Sequence, residues 1–265
     1  MNRADRKRQA KLDEKLIAGG IEADTTDPAT TTAMARHLNA MFEKAKRDGD
    51  IDPPVKFFHA KIAQTLAAVP IQTACARGCS HCCNGWVSVT APEILYAAKR
   101  VRAKGEELIA RVKAAHEVTK AYSMAERPSH PHPCAMLADS ACGLYEARPS
   151  ACRFASSLNA SACERMFRLL GEETIPSPMR HIRARERYQI ALSSALAQAG
   201  LFHRFYDLTA GLHRALSRDD AEEAWLAGED IFAGVGMDPT DVLDKDSARI
   251  VMHQAFGQMQ AALRA

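Results

Sequence analysis

Eight cysteines in two groups constrain this chain more than any other feature. Cys75, Cys79, Cys82 and Cys83 lie within nine residues, and Cys134, Cys142, Cys152 and Cys163 follow within thirty. The first 74 residues and the last 102 contain none. Cysteines serving only as small buried apolar residues would be scattered along the chain. The N-terminus, MNRADRKRQAKLDEKLIAGG, has a charged start but no apolar stretch of roughly 7–15 residues behind it, so it does not read as a secretory signal. The expected location is therefore cytoplasmic, a reducing compartment where structural disulfides are rare. Metal binding or thiol chemistry then comes first as the reason for eight cysteines.

Composition narrows what surrounds them. At 265 residues, 47% hydrophobic and 25% charged, the chain is neither disordered nor collagen-like. Only 6% of residues are aromatic while alanine is abundant, which favours helices over a β-sandwich. Thirty-five Lys and Arg against 32 Asp and Glu leave a net charge of +3, too even a balance to single out a polyanionic partner. Nucleic acid is not expected, and no apolar run approaches the roughly 18 residues of a membrane span.

The helices can be placed from punctuation and periodicity. The opening twenty residues, with six basic and three acidic side chains, read as a frayed helix or a solvated charged tail. A helix starts at Asp27-Pro28, carries Met34, Leu38 and Met41 on one face and stops at Asp48-Gly49. The next starts near Pro53-Pro54, with Val55, Phe58, Ile62, Leu66 and Val69 at steps of three and four, and ends at Pro70. Trp86 to Thr90 is at most a short extended piece. Thr90-Ala91-Pro92-Glu93 is a capping box, and helix runs from it towards Ser123 with a break at Gly105. Prolines 128, 131 and 133 keep Arg127–Cys134 out of a helix. From Pro178 onward the pattern is helical, with one stripe of Leu201, Phe205, Leu208, Leu212 and Leu216 and another of Ile250, Met252, Phe256, Met259 and Leu263. Such stripes are core. The predicted fold is mainly α, with helices packed around a loop-rich, cysteine-ligated metal centre. Its parts are an N-terminal tail and helix (1–52), a cysteine-cluster metal-binding core (53–177) and a C-terminal helical region (178–265) packed with the core as one domain.

Thiolates are soft ligands suited to zinc, copper(I) and iron–sulfur clusters. Cys79-x-x-Cys82 has the spacing that turns two sulfurs towards one metal, and Gly78 before it permits the turn such knuckles use. The side chains of adjacent Cys82 and Cys83 tend to diverge, so one of them serves a second metal, a bridge or the core. All eight cysteines are metal-ligand candidates. Cys79, Cys82, Cys83, Cys134, Cys142 and Cys152 form the central set, with Cys75 and Cys163 as outer members. Arg148 and Arg153 beside them would lower thiolate pKa values or make ordinary ion pairs. Tyr145 and Trp86 are expected to pack over the site and keep water off it. His81 reads as a supporting group, and His130 and His132 as loop histidines able to offer imidazole. The basic run Arg180–Arg187 reads as a solvated helix face. Gly234-Val235-Gly236 is only a fragment of a dinucleotide-binding pattern.

The run Cys75-Ala76-Arg77-Gly78-Cys79-Ser80-His81-Cys82-Cys83 resembles the signature of the CxxCxxCC (YkgJ-type) family of zinc- or iron-chelating domains. Cys134-Ala135-Met136-Leu137 and the stretch Cys142-Gly143-Leu144-Tyr145 to Arg148-Pro149-Ser150-Ala151-Cys152-Arg153 are similar to the family's later elements, in the same order. Glu93 falls where the family often carries a glutamate that opens the helix after the cluster. One departure is the three residues between Cys75 and Cys79, where the family pattern has two. The resemblance covers residues 75–163 and implies a metal ion or cluster as the partner. One branch of the family is linked to flagellin lysine N-methylation and implies an iron–sulfur cluster. The spacing Cys75-x3-Cys79-x2-Cys82 is also similar to the [4Fe–4S] motif of radical S-adenosylmethionine enzymes, but here His81 replaces their usual aromatic residue and the strands of their barrel are missing.

Three functions follow: a metal-binding module, an iron–sulfur enzyme of methyl-transfer or radical type, and a thiol redox or metal-donor protein. Eight thiolates around one irregular centre exceed what a single structural zinc needs, which favours an iron–sulfur cluster over Zn2+, although two four-cysteine zinc sites would also use all eight. No acid–base pair stands out as catalytic.

Overall fold

In the computed structural model, residues 3–21, 28–68, 71–123, 126–168 and 174–235 are described. Among the described residues ten α-helices carry the fold: α1 (Arg3–Leu16), α2 (Ala29–Asp48), α3 (Asp52–Ala68), α4 (Ala91–Lys104), α5 (Glu106–Thr119), α6 (Ser150–Phe154), α7 (Ala160–Arg168), α8 (Met179–Gln198), α9 (Leu208–Leu216) and α10 (Ala221–Leu226). Two pairs of very short strands join them: β1 (Ser88–Thr90) with β4 (Phe205–Asp207), and β2 (Leu137–Ala138) with β3 (Ala141–Cys142), both antiparallel. The protein is mainly α, as its composition predicts.

Local chemistry explains the boundaries. Gly49, in the left-handed region at φ +70°, ends α2 and returns its N–H to the Ala45 carbonyl. The capping box opens α4: Thr90 Oγ1 donates to Glu93 Oε2 at 2.9 Å, and the Thr90 N–H reaches the same oxygen. Gly105, at φ +100°, divides α4 from α5. The α2 and α8 helices pack along each other, while α4 and α5 pack on α9. Met34, Leu38, Phe42, Phe58, Ile62, Tyr188, Tyr206 and Trp225 are buried in one continuous core.

Two expectations are corrected. The N-terminal segment is a docked helix: Asp13 is 3% exposed and accepts from Arg36 through both oxygens, at 2.6 and 2.9 Å. Ile17 and Ile21 follow it into the core. The stripe from Leu201 to Leu216 does not lie on one helix. Phe205–Asp207 is a strand, with Tyr206 opposite Val89, and only Leu208, Leu212 and Leu216 share α9. Alternation over three residues is too short to be told from helical spacing. The stripe Ile250–Leu263 lies outside the described residues. Among the described residues no helix is long and apolar enough to cross a membrane.

Candidate metal centre

The first cysteine group lies on a loop folded by its own backbone. Gly78 adopts φ +90°, the Cys79 N–H returns to the Ala76 carbonyl at 3.0 Å, and the Cys83 N–H returns to the Ser80 carbonyl at 3.0 Å. Residues His81–Asn84 form a single 3-10 turn that holds Cys82 and Cys83. The second group is brought to it by main-chain bonds. The His132 N–H donates to the Asn84 carbonyl at 2.9 Å and the Cys134 N–H to the Cys83 carbonyl at 2.7 Å. The turn between β2 and β3 has positive φ at Asp139 (49°) and Ser140 (60°), which suits a tight two-residue hairpin. Its register sets Cys142 opposite Leu137, and Arg111 donates to the Leu137 carbonyl from α5.

Cys152 sits on α6, which is fixed from its first residue. Glu93 is 1% exposed and accepts the Ser150 N–H through Oε1 at 2.6 Å. Buried His59, on α3, lies 3.4 Å from the same oxygen through Nε2, and Arg153 approaches its Nδ1 at 3.4 Å. Arginine can only donate, so Nδ1 is the acceptor and Nε2–H faces Glu93. Arg153 also donates to the carbonyls of Arg148 (2.7 Å) and Glu146 (2.6 Å), which holds the loop beside Cys152.

The thiols of Cys82, Cys83, Cys134, Cys142 and Cys152 act on one another across this junction. A hydrogen bond from the Cys82 thiol to Cys83, with burial, raises the Cys82 pKa; the same bond lowers that of Cys83 against its own burial. Burial pushes the Cys134 thiol up to about 11 against an N–H from Met136, and burial together with the Cys134 thiol raises Cys152. The Arg148 guanidinium opposes the rise at both Cys82 and Cys152. Cys75 and Cys163 lie beside Ser157. The Ser157 N–H donates to Cys75 Sγ at 3.4 Å, and its hydroxyl donates to the Asn159 carbonyl at 2.9 Å.

All eight cysteines are free thiols; Cys163 is buried and Cys75 and Cys82 are exposed. Among the described residues, no three His, Cys, Asp or Glu side chains stand close enough to hold a metal ion as placed. The donor set fits a soft metal all the same. Cys82, Cys134 and Cys152 are disfavoured as thiolates, with burial a cause at each and the Arg148 guanidinium opposing it at Cys82 and Cys152, an environment that a bound cation would relieve.

One expectation about the surroundings changes. Tyr145 does not shield the thiols; it is 61% exposed, and its ring lies under Arg148, 4.6 Å from the guanidinium carbon. Trp86 is half-buried. His130 stacks on Tyr122 at 3.8 Å, and His132 Nδ1 donates to the Pro133 carbonyl. The sequence reading passed over His59, Ser157 and Asp207. A histidine four residues after Val55 on an apolar helix face was a usable signal for the first. Asp207 reaches the site only through the pairing of β4 with β1, opposite Ser88. Burial raises its carboxyl pKa, and its charge acts on Cys134.

No curated protein and no solved structure matches the chain. Residues 74–169, which hold all eight cysteines, match the model of the CxxCxxCC family, described as "Putative zinc- or iron-chelating domain".

Proposed function

We propose that this protein chelates a metal in the cytosol through the cysteines of its 53–177 region, as an iron–sulfur cluster in preference to zinc. The observation that carries the reading is the junction of two cysteine groups fifty residues apart, joined by the Cys134 N–H to Cys83 carbonyl bond at 2.7 Å. Thiolate donors suit either metal. Eight of them on loops, short turns and short helices suit a cluster, whose ligands need soft sulfur and a fold that excludes competing water. When bound, the cluster would supply electron storage. The chain's residues would supply the thiolates, the cationic charge of Arg148 and the Glu93–His59 brace behind Cys152.

The deciding experiment is metal and acid-labile sulfide analysis, with a visible spectrum, on protein purified without oxygen. Iron with sulfide and broad visible absorption supports the cluster. A colourless protein with zinc keeps the chelating function and replaces the metal. Protein that holds neither overturns the reading.

One observation favours a second reading, a thiol redox or metal-donor protein: exposed Cys82 donates to Cys83 and lowers its pKa. A depressed thiol beside an accessible one is the arrangement of a reactive pair. Reversible loss of two thiols on mild oxidation, with bound metal retained, would support it.

A further inference from the structure

Helices α5 and α9 pack on each other but do not close the seam between them. It keeps a cavity of about 290 Å3, lined by Ile109, Val112 and Lys113 of α5 and by His213, Leu216 and Ser217 at the C-terminal end of α9. Val112 is fully buried, Ile109 and Leu216 pack against the core, and Lys113 and Ser217 are exposed. The cavity therefore has an apolar floor and a wet, cationic mouth. Its size lies at the lower edge of the roughly 300–1,000 Å3 of small-molecule sites.

His213 stacks on His116 of α5, with ring centroids 4.2 Å apart and planes 16° from parallel, which fixes the imidazole at the mouth. The charged groups that act on His213 are Lys113, Lys120 and Arg214 against one carboxylate, Glu117, and Glu117 is paired with Lys120. Among the described residues no carboxylate lies within ion-pair distance of Lys113. The negative end of α9 would oppose an anion here, but Arg102 donates to the carbonyls of Ala215 at 3.1 Å and Arg218 at 2.7 Å and offsets it. The Ser217 hydroxyl donates to the His213 carbonyl at 2.7 Å, so the Lys113 ammonium and the His213 ring are left to face a ligand.

We propose that this cavity binds a small amphipathic anion, a monocarboxylate with a short apolar body, whose head group pairs with Lys113 beside His213 and whose body lies on Ile109, Val112 and Leu216. The apolar floor rewards a body that a free inorganic anion lacks, and the Lys113 ammonium rewards a head group that a neutral alcohol lacks. None of the six lining residues belongs to the cysteine loops, so the site stands whether or not the protein chelates metal.

The test is NMR of the histidine rings of the full chain, with hexanoate as the probe and acetate and hexanol as controls. Hexanoate is expected to shift the His213 signal saturably, the signal being assigned as the one absent from His213→Asn. Acetate and hexanol should each bind at least about tenfold more weakly, and Lys113→Gln should weaken hexanoate by a similar factor, about the worth of one charge-assisted hydrogen bond. Lys113 is exposed, so this variant leaves the fold intact. Hexanol that binds as tightly as hexanoate overturns the anion, and acetate that does so overturns the apolar body. No shift of His213 at millimolar hexanoate, or one that Lys113→Gln leaves unchanged, overturns the site.

Discussion

Glu93 accepts the Ser150 N–H at 2.6 Å, so one buried carboxylate joins the start of α4 to the start of the helix that carries Cys152. The same side chain caps α4 through Thr90 and faces His59. It ties the helix that follows the first cysteine loop to the helix that carries Cys152. Glu93→Ala leaves the Ser150 N–H and the His59 ring without their partner in buried surroundings. The expected cost is about 3 kcal/mol, by the penalty for breaking a buried pair, which lowers the Tm of a domain this size by roughly 6–12 °C. The loosened Cys152 helix should also release metal more readily; calorimetry on metal-free protein checks the stability effect, and metal retained after a chelator challenge checks the second. Glu93→Gln, which keeps one carbonyl oxygen for Ser150, should lose less of both.

Two carboxylates give the stability curve an acid limb. Burial raises the Glu93 pKa, but the contacts with His59, Ser150 and Thr90 outweigh it and hold the group below its ordinary value of 4.5. Burial also raises Asp52, and hydrogen bonds from Arg100, Lys99 and Lys56 outweigh it, so its carboxyl stays well below the ordinary 3.8. For a group depressed on folding, the stabilisation is complete above the unfolded-state value and is lost as pH falls through the folded one. Tm should therefore stay flat down to about pH 5 and fall below it. Asp52→Asn should flatten that fall. A variant that keeps the full acid slope would show that Asp52 contributes nothing to it.

Much of the helical frame was legible in the sequence because its signals are local. The Thr90–Glu93 box, the Gly49 stop and the Gly105 break act within one turn of the residue that makes them, and each appears where the sequence placed it. Strand β4 was not legible, because what makes Phe205–Asp207 extended is its pairing with Ser88–Thr90, more than a hundred residues away. Docking of α1 was hidden for a similar reason: Asp13 looks like any surface charge until Arg36 stands opposite it. At the site, the cysteine types and spacing pointed to metal. The contact of Ser157 with Cys75 and the buried His59–Glu93 brace depend on which segments pack together, and spacing carries no record of that.

Metal removal should loosen the two cysteine loops and spare the helical core. Residues 75–85 contribute no buried apolar side chain and 134–147 only Ala135, Met136, Leu144 and Ala147, whereas α2, α3 and α8 share a core that includes Leu38, Phe58, Ile62, Tyr188 and Leu196. Energy from metal binding is folding energy only for the segments it closes. Hydrogen exchange before and after chelation should show lost protection at Cys79, Cys83, Cys134 and Cys152 with little change along α2 and α8. Uniform loss across all helices would mean that the metal holds the whole fold, and no change anywhere would mean that the loops close without it.

Arg148 supplies the last prediction. Its guanidinium lies over the Tyr145 ring and acts on the Cys82 and Cys152 thiols, and its Nε is buried without a hydrogen-bond partner. Positive charge favours the thiolate form that metals bind, so losing it should make loading harder at a given pH. Arg148→Gln is expected to weaken metal affinity by about 10–100-fold, as for partners that support ligands without binding metal themselves. It should also move the loading midpoint to higher pH. Arg148→Lys, which keeps the charge but loses the planar stack on Tyr145, should recover most of the pH midpoint. Competition against a chromophoric chelator between about pH 6 and 9, spanning the lower side of the thiol range, measures both. If the glutamine variant loads at the same pH as the wild type, Arg148 acts only as the stacking partner of an exposed tyrosine, and the charge balance of the thiolates must come from the metal alone.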